Sequence, residues 1–157
     1  MVEGRVIRLM RIALDTNILA YAEGIGDAPQ CSIAAALIAE IPVDAIILPA
    51  QTLGELYRIL VGNAGRNPVS ACAAILSWAD SFEVADSTLE AFQSAFDLTV
   101  DHSMQIWDAL ILAVAAENRC RLLLSEDLHD GFIWRGVTVV DPFDGTEHAH
   151  LLKMLTG

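Results

Sequence analysis

Long apolar runs are missing from this sequence, although 54% of its residues are hydrophobic. Charges or prolines interrupt each one well before the 18 or more residues that a bilayer span requires. The start, MVEGRVIRLMR, lacks the apolar centre of a signal peptide, so a soluble cytoplasmic protein with no membrane association is expected. Cysteine is scarce: Cys31, Cys72 and Cys120 are odd in number and form no C-x-x-C pair, which argues against a disulfide framework and a thiolate metal site and leaves small core residues. His148 and His150 could share one face of an extended segment, but His102 and His129 lie far off, so no zinc site is read. Basic residues are few, nine against 21 acidic for a net charge of −12. That is the reverse of the electrostatic footprint of a general nucleic-acid binder and argues against a DNA-coating role. Carboxylates gathered inside a cleft would instead want metal cations or an arginine-bearing partner. Repeats and low-complexity segments are absent, and 157 residues suit one compact domain, 1–157, with residues 1–10 as a lead-in and 144–157 as a tail.

What is present is a pattern of apolar strands that end on acids. In RIALDTNIL, Arg11 to Leu19, an apolar run stops on Asp15 and a new apolar segment follows. This reads as a buried strand ending at its carboxyl edge, where ligand sites of open α/β sheets lie, although Asp is also a good helix cap. A short helix over Asn17–Glu23, a GIGDAP break and an amphipathic helix over Gln30–Glu40, closed by Ile41 and Pro42, come next. Ala45–Leu48 is a second strand with Pro49 behind it, and Gln51–Val61 has the helical stripe Leu53, Leu56, Tyr57 and Leu60. Glu55 borders that stripe; a surface pair with Arg58 and an acid facing the end of the first strand both stay open as readings.

Beyond the loop GNAGRNP, Val69–Ala79 is an alanine-rich helix with Pro68 in its first turn, and Phe82–Ala85 a short third strand. Asp86 or Ser87 is expected to cap the next helix, which runs to Val100. The helix over Met104–Asn118, MQIWDALILAVAAEN, is apolar nearly all round from Ile106 to Ala116 except at Asp108, so it belongs inside the domain and Asp108 is expected to be a buried carboxylate. Burying that charge costs several kcal/mol unless a cation, a metal or hydrogen bonds offset it. Arg121–Leu124 is a fourth strand that runs into SEDLHDG, repeating the device of Asp15 with Glu126, Asp127 and Asp130 around Ser125. Val137–Val140 is a final strand stopped by Asp141 and Pro142, and the tail to Gly157 is expected to add a short helix.

Strands alternating with helices predict an α/β/α sandwich around a mostly parallel sheet of four to five strands. Its acids Asp15, Glu55, Asp108 and Asp127 come from four separate segments. Four carboxylates in one pocket stay ionised only with divalent cations among them, and all-oxygen ligands suit Mg²⁺ or Mn²⁺. LDTNIL, the acid in GELYRIL, IWDALILAVA, and LLLSEDLHDG followed by VVDPF, in this order and spacing, resemble a PIN-domain ribonuclease, closest to the VapC toxins of bacterial toxin–antitoxin pairs. The resemblance covers about Ile12 to Phe143. It implies that Asp15 and Asp108 are the principal Mg²⁺ ligands, with Mn²⁺ as a substitute, that Glu55 and Asp127 complete the catalytic acid set, and that Asn17 and Ser125 support them. It further implies metal-assisted, in-line hydrolysis of RNA phosphodiesters with no covalent nucleophile. A homodimer, and a small antitoxin forming a heterotetramer or larger assembly, are the partners it implies. Two departures stand against the family pattern: ten residues precede the first strand, and few cations remain to hold RNA, which leaves local ones such as Arg58, Arg66, Arg119 or Arg135. An RNA-processing nuclease without antitoxin, and a non-catalytic module whose acids receive a partner's arginines, are the competing readings. A phosphatase of the haloacid-dehalogenase type needs a second Asp where this chain has Asn17.

Overall fold

Strands and helices alternate along residues 10–144, the part of the chain that the computed structural model describes. In chain order they are β1 (Ile12–Leu14), α1 (Thr16–Ala22), α2 (Ala28–Glu40), a 3-10 turn over Val43–Ala45, β2 (Ile46–Pro49), α3 (Ala50–Gly62) and α4 (Pro68–Ser81). After these come β3 (Glu83–Ala85), α5 (Leu89–His102), α6 (Ile106–Glu117), β4 (Leu122–Leu124), β5 (Ile133–Trp134) and β6 (Val137–Val140). The sheet order is β3-β2-β1-β4-β6-β5, with every neighbouring pair parallel except the antiparallel β5–β6 edge. The two-residue β5 takes the sheet to six strands where the sequence pattern suggests four to five, because a pair that short carries no periodicity to read.

The strands look uniformly apolar in sequence, yet their side chains divide by the two-residue period of a strand. Ile12, Leu14, Ile46, Leu48, Leu122 and Leu124 join α1, α2, α3 and α4 in one core cluster. Ala13, Ile47, Leu123, Val137 and Val139 join α5 and α6 in another on the opposite face. Both faces are covered, which explains the absence of polar alternation and gives the expected α/β/α sandwich. Helix α6 lies between the sheet and α5, with Ala109 through Ala115 all buried.

Local chemistry sets several ends differently from the sequence expectation. Thr88, not Asp86 or Ser87, caps α5, its Oγ1 accepting from Ala91 N at 3.0 Å. Gln105 caps α6 by accepting from the amides of Trp107 and Asp108, so Asp108 stands in the first turn rather than mid-helix and is half-buried, not buried. The lead-in, except Met10, and the expected tail helix lie outside the described residues. Among those described, no helix is long and apolar enough to cross a membrane.

Candidate active site

The order of strand addition reverses between β1 and β4, which are parallel: β2 and β3 follow β1 to one side, while β4 and β6 lie on the other. Leu14 and Leu124 are paired in register, so the next residues, Asp15 and Ser125, leave the sheet side by side at its carboxyl edge. Such a switch point opens a crevice. Backbone bonds hold both residues there, Asp15 N to Leu124 O and Ser125 N to Val140 O, each 3.0 Å.

Asp15 is only 3% exposed. Its Oδ1 accepts from Thr16 N at 2.7 Å, and its Oδ2 accepts from Ser125 Oγ at 2.6 Å and, at 3.5 Å, from Asn17 Nδ2. The cap and site readings of Asp15 are therefore compatible, because one oxygen caps α1 while the other faces the crevice network. Asn17 also donates to Asp127 Oδ2 at 3.2 Å and accepts from Glu126 N at 3.2 Å, tying α1 to the segment after β4. Ser125 Oγ, fully buried, accepts from the amides of Asp127 and Leu128 and so shapes that turn. Asp127 itself is exposed, and Glu126 accepts from Tyr21 Oη at 2.6 Å.

Helix α3 brings Glu55 to the same crevice. Glu55 Oε2 accepts from Thr16 Oγ1 at 2.6 Å, and Oε1 accepts from Gln51 Nε2 at 2.5 Å. Gln51 also donates to Trp107 O at 3.1 Å, linking α3 to the first turn of α6 and hence to Asp108. The surface pair of Glu55 with Arg58 does not form. Burial, with Asp108 and Asp127 adding to it, pushes the Asp15 carboxyl up from 3.8 to about 6 against the lowering effect of the Ser125 and Thr16 bonds. Asp108 is raised first by burial and then by the charges of Asp127 and Glu55. Asp15 thus feels Asp108 and Asp127, and Asp108 feels Asp127 and Glu55, with no basic side chain in an ion pair with any of the four among the described residues.

This donor set is hard, anionic and all oxygen, which fits Mg²⁺ or Mn²⁺ rather than zinc. Among the described residues, no three His, Cys, Asp or Glu side chains close around a single point. Mg²⁺ is commonly held by one or two carboxylates while keeping several waters. Thr16, Gln51 and Tyr21 are the participants that the sequence reading passed over. Gln51 stands one helical turn before Glu55, a spacing that brings side chains together and could have flagged it.

The PIN domain family model matches residues 12–129. No curated protein matches the chain. Among solved structures, VapC20 of Mycobacterium tuberculosis, a sarcin–ricin loop cleaving toxin, is similar at 24% identity and a TM-score of 0.62, over 74% of this chain and 91% of that one. A DNA-bound VapBC from Salmonella typhimurium aligns at 14% identity and a TM-score of 0.61, over 85% of this chain and 98% of that one. FitAcB from Neisseria gonorrhoeae aligns at 19% identity and a TM-score of 0.60, over 85% and 99%. At these identities the structures speak for the fold, and with the family match over most of its length the chain belongs to the PIN-domain family.

Proposed function

We propose that this protein is a Mg²⁺-dependent endoribonuclease, with Mn²⁺ able to replace Mg²⁺, and the toxin of a VapBC-type toxin–antitoxin pair. The observation that carries the reading is Asp15, a carboxyl group buried at the sheet's switch point, facing two further acids with no cation paired to it among the described residues. Family membership and the toxins among the proteins of similar fold support the same assignment. Asp15 and Asp108 would hold the metal, with Glu55 and Asp127 completing the acidic set. When bound, a divalent cation supplies an activated water and offsets charge on the scissile phosphate and leaving oxygen. The chain's own contribution is preorganisation: Ser125 and the Thr16 amide fix Asp15, Asn17 couples it to Asp127, and Thr16 with Gln51 fixes both oxygens of Glu55. No side chain serves as a covalent nucleophile.

Purified protein should cut labelled RNA in Mg²⁺ or Mn²⁺ and not in EDTA, and Asp15→Asn or Asp108→Asn should abolish cutting without unfolding the chain. Cutting in EDTA, or by either variant, refutes the assignment. An antitoxin fits the same acids, because an arginine fork matches clustered carboxylates and competes with the metal. Expression with the neighbouring genes should yield a small second chain bound to a dimer of this one, as a heterotetramer or larger assembly. Recovery of only free, active enzyme would refute the toxin–antitoxin assignment while leaving the nuclease intact.

A further inference from the structure

Beside Glu55 lies an open depression of about 520 Å³, walled by Gln51, Gly54 and Arg58 of α3 and by Trp107 of α6. Its volume is in the range of sites that take small ligands, ~300–1,000 Å³. Trp107 is 51% exposed, although indole is a large apolar surface that normally finds cover. Arg58 is exposed and forms no ion pair among the described residues. The other arginines among the described residues are committed or distant. Arg11 pairs with Glu83 and Arg66 with Glu23, while Arg135 donates to Ser94 and lies over Trp134. Arg119 and Arg121 precede β4, at the edge of the sheet opposite the acids. Arg58 is thus the described cation that an anionic ligand approaching Glu55 meets. The amide oxygen of Gln51, on the same wall, is buried without a hydrogen-bond partner.

We propose that this depression is the subsite for one nucleotide of single-stranded RNA next to the scissile phosphate, with the base stacked on Trp107 and a flanking phosphate on Arg58. The inference rests on the ribonuclease reading above. A bare indole supplies the sequence-tolerant stacking face that single strands use, and a guanidinium supplies the phosphate contact. One local cation is also what lets a chain of net charge −12 hold RNA without a basic surface. Gly54 leaves the wall open between them, since a Cβ there would meet nothing within 4 Å.

The test is fluorescence anisotropy of a labelled single-stranded RNA decamer in EDTA, where no cutting occurs, followed by kinetics in Mg²⁺. Trp107→Ala should weaken binding about 5- to 150-fold, the range for loss of one stacked base, while Trp107→Phe restores most of it. Arg58→Ala should lower the slope of log affinity against log salt by about 0.7, one single-strand phosphate. An abasic decamer should bind wild type and Trp107→Ala alike, and Trp107→Ala should raise KM far more than it lowers kcat. Equal binding of the ordinary decamer by wild type and Trp107→Ala overturns the subsite, and leaves the nuclease standing if Asp108→Asn still abolishes cutting. Wild type that neither binds the decamer in EDTA nor cuts it in Mg²⁺ overturns both. RNA binding unchanged in Trp107→Ala, with co-purified antitoxin lost, would reassign the surface to the protein partner. Loss of RNA binding in Trp107→Ala alongside an Asp108→Asn variant that still cuts would keep the subsite and overturn the catalytic acids.

Discussion

Removing the charge of Asp15 tests whether this carboxylate is held for function at the expense of stability. Its folded pKa, about 6, lies above its ordinary value of 3.8. Between those values the folded state binds the proton and the unfolded chain does not, so stability falls as pH rises through that window and the loss is complete above it. The difference of about 2 pKa units corresponds to about 3 kcal/mol at neutral pH without metal. Asp15→Asn removes this penalty but gives up one acceptor, so Thr16 N and Ser125 Oγ can no longer both be satisfied as they are now. The expected net gain at pH 7.5 in EDTA is about 1–3 kcal/mol, each kcal/mol raising the melting temperature by roughly 2–4 °C in a chain of this size. The assay is thermal or denaturant unfolding of both proteins from pH 3.5 to 8. The difference between them should be small below pH 4, grow between 4 and 6, and level off above. A flat difference, or a variant less stable than wild type at pH 7.5, would refute the reasoning and make Asp15 a structural cap of α1.

Adding Mg²⁺ should raise the wild-type melting temperature by mass action and raise that of Asp15→Asn by less, read in the same unfolding assay. Ser125→Ala should cost about 2–4 kcal/mol in urea unfolding, because it strands the amides of Asp127 and Leu128 and removes the bond that favours ionised Asp15; a loss under 1 kcal/mol would contradict the buried network. Gly26→Ala should weaken the Tyr21–Glu126 bond, since a Cβ at Gly26 would sit 2.6 Å from the Tyr21 ring, and its φ of +114° disfavours any side chain. Tyr21 fluorescence and unfolding would report the change, and an unperturbed protein would show that the loop simply shifts. Leu124→Ala, at a fully buried strand position beside Asp15, should cost about 2–5 kcal/mol and reduce activity with it.

Much of the fold was legible because apolar runs bounded by Gly, Pro and Asp mark short buried strands, and alternating strands and helices dictate a covered parallel sheet. Asp15 and Ser125 at strand ends, and Asp108 within an apolar helix, were visible in the sequence for the same reason: each polar group breaks an apolar run. The sequence could not order the strands, and it is the placement of β4 against β1 that sets Ser125 beside Asp15. Nor could it decide whether Glu55 faces Arg58 or the crevice. That choice rests on bonds to Thr16, 39 residues away, and on Gln51, which also reaches the Trp107 carbonyl across the helix packing. Asp108 lost its expected burial because the Gln105 cap starts the helix at Ile106, two residues after the expected Met104, placing the acid in the first turn. Local propensity and periodicity determined which elements exist and where their acids sit; side-chain convergence across distant segments belongs to the tertiary structure, because it depends on strand order and helix packing that no local pattern encodes.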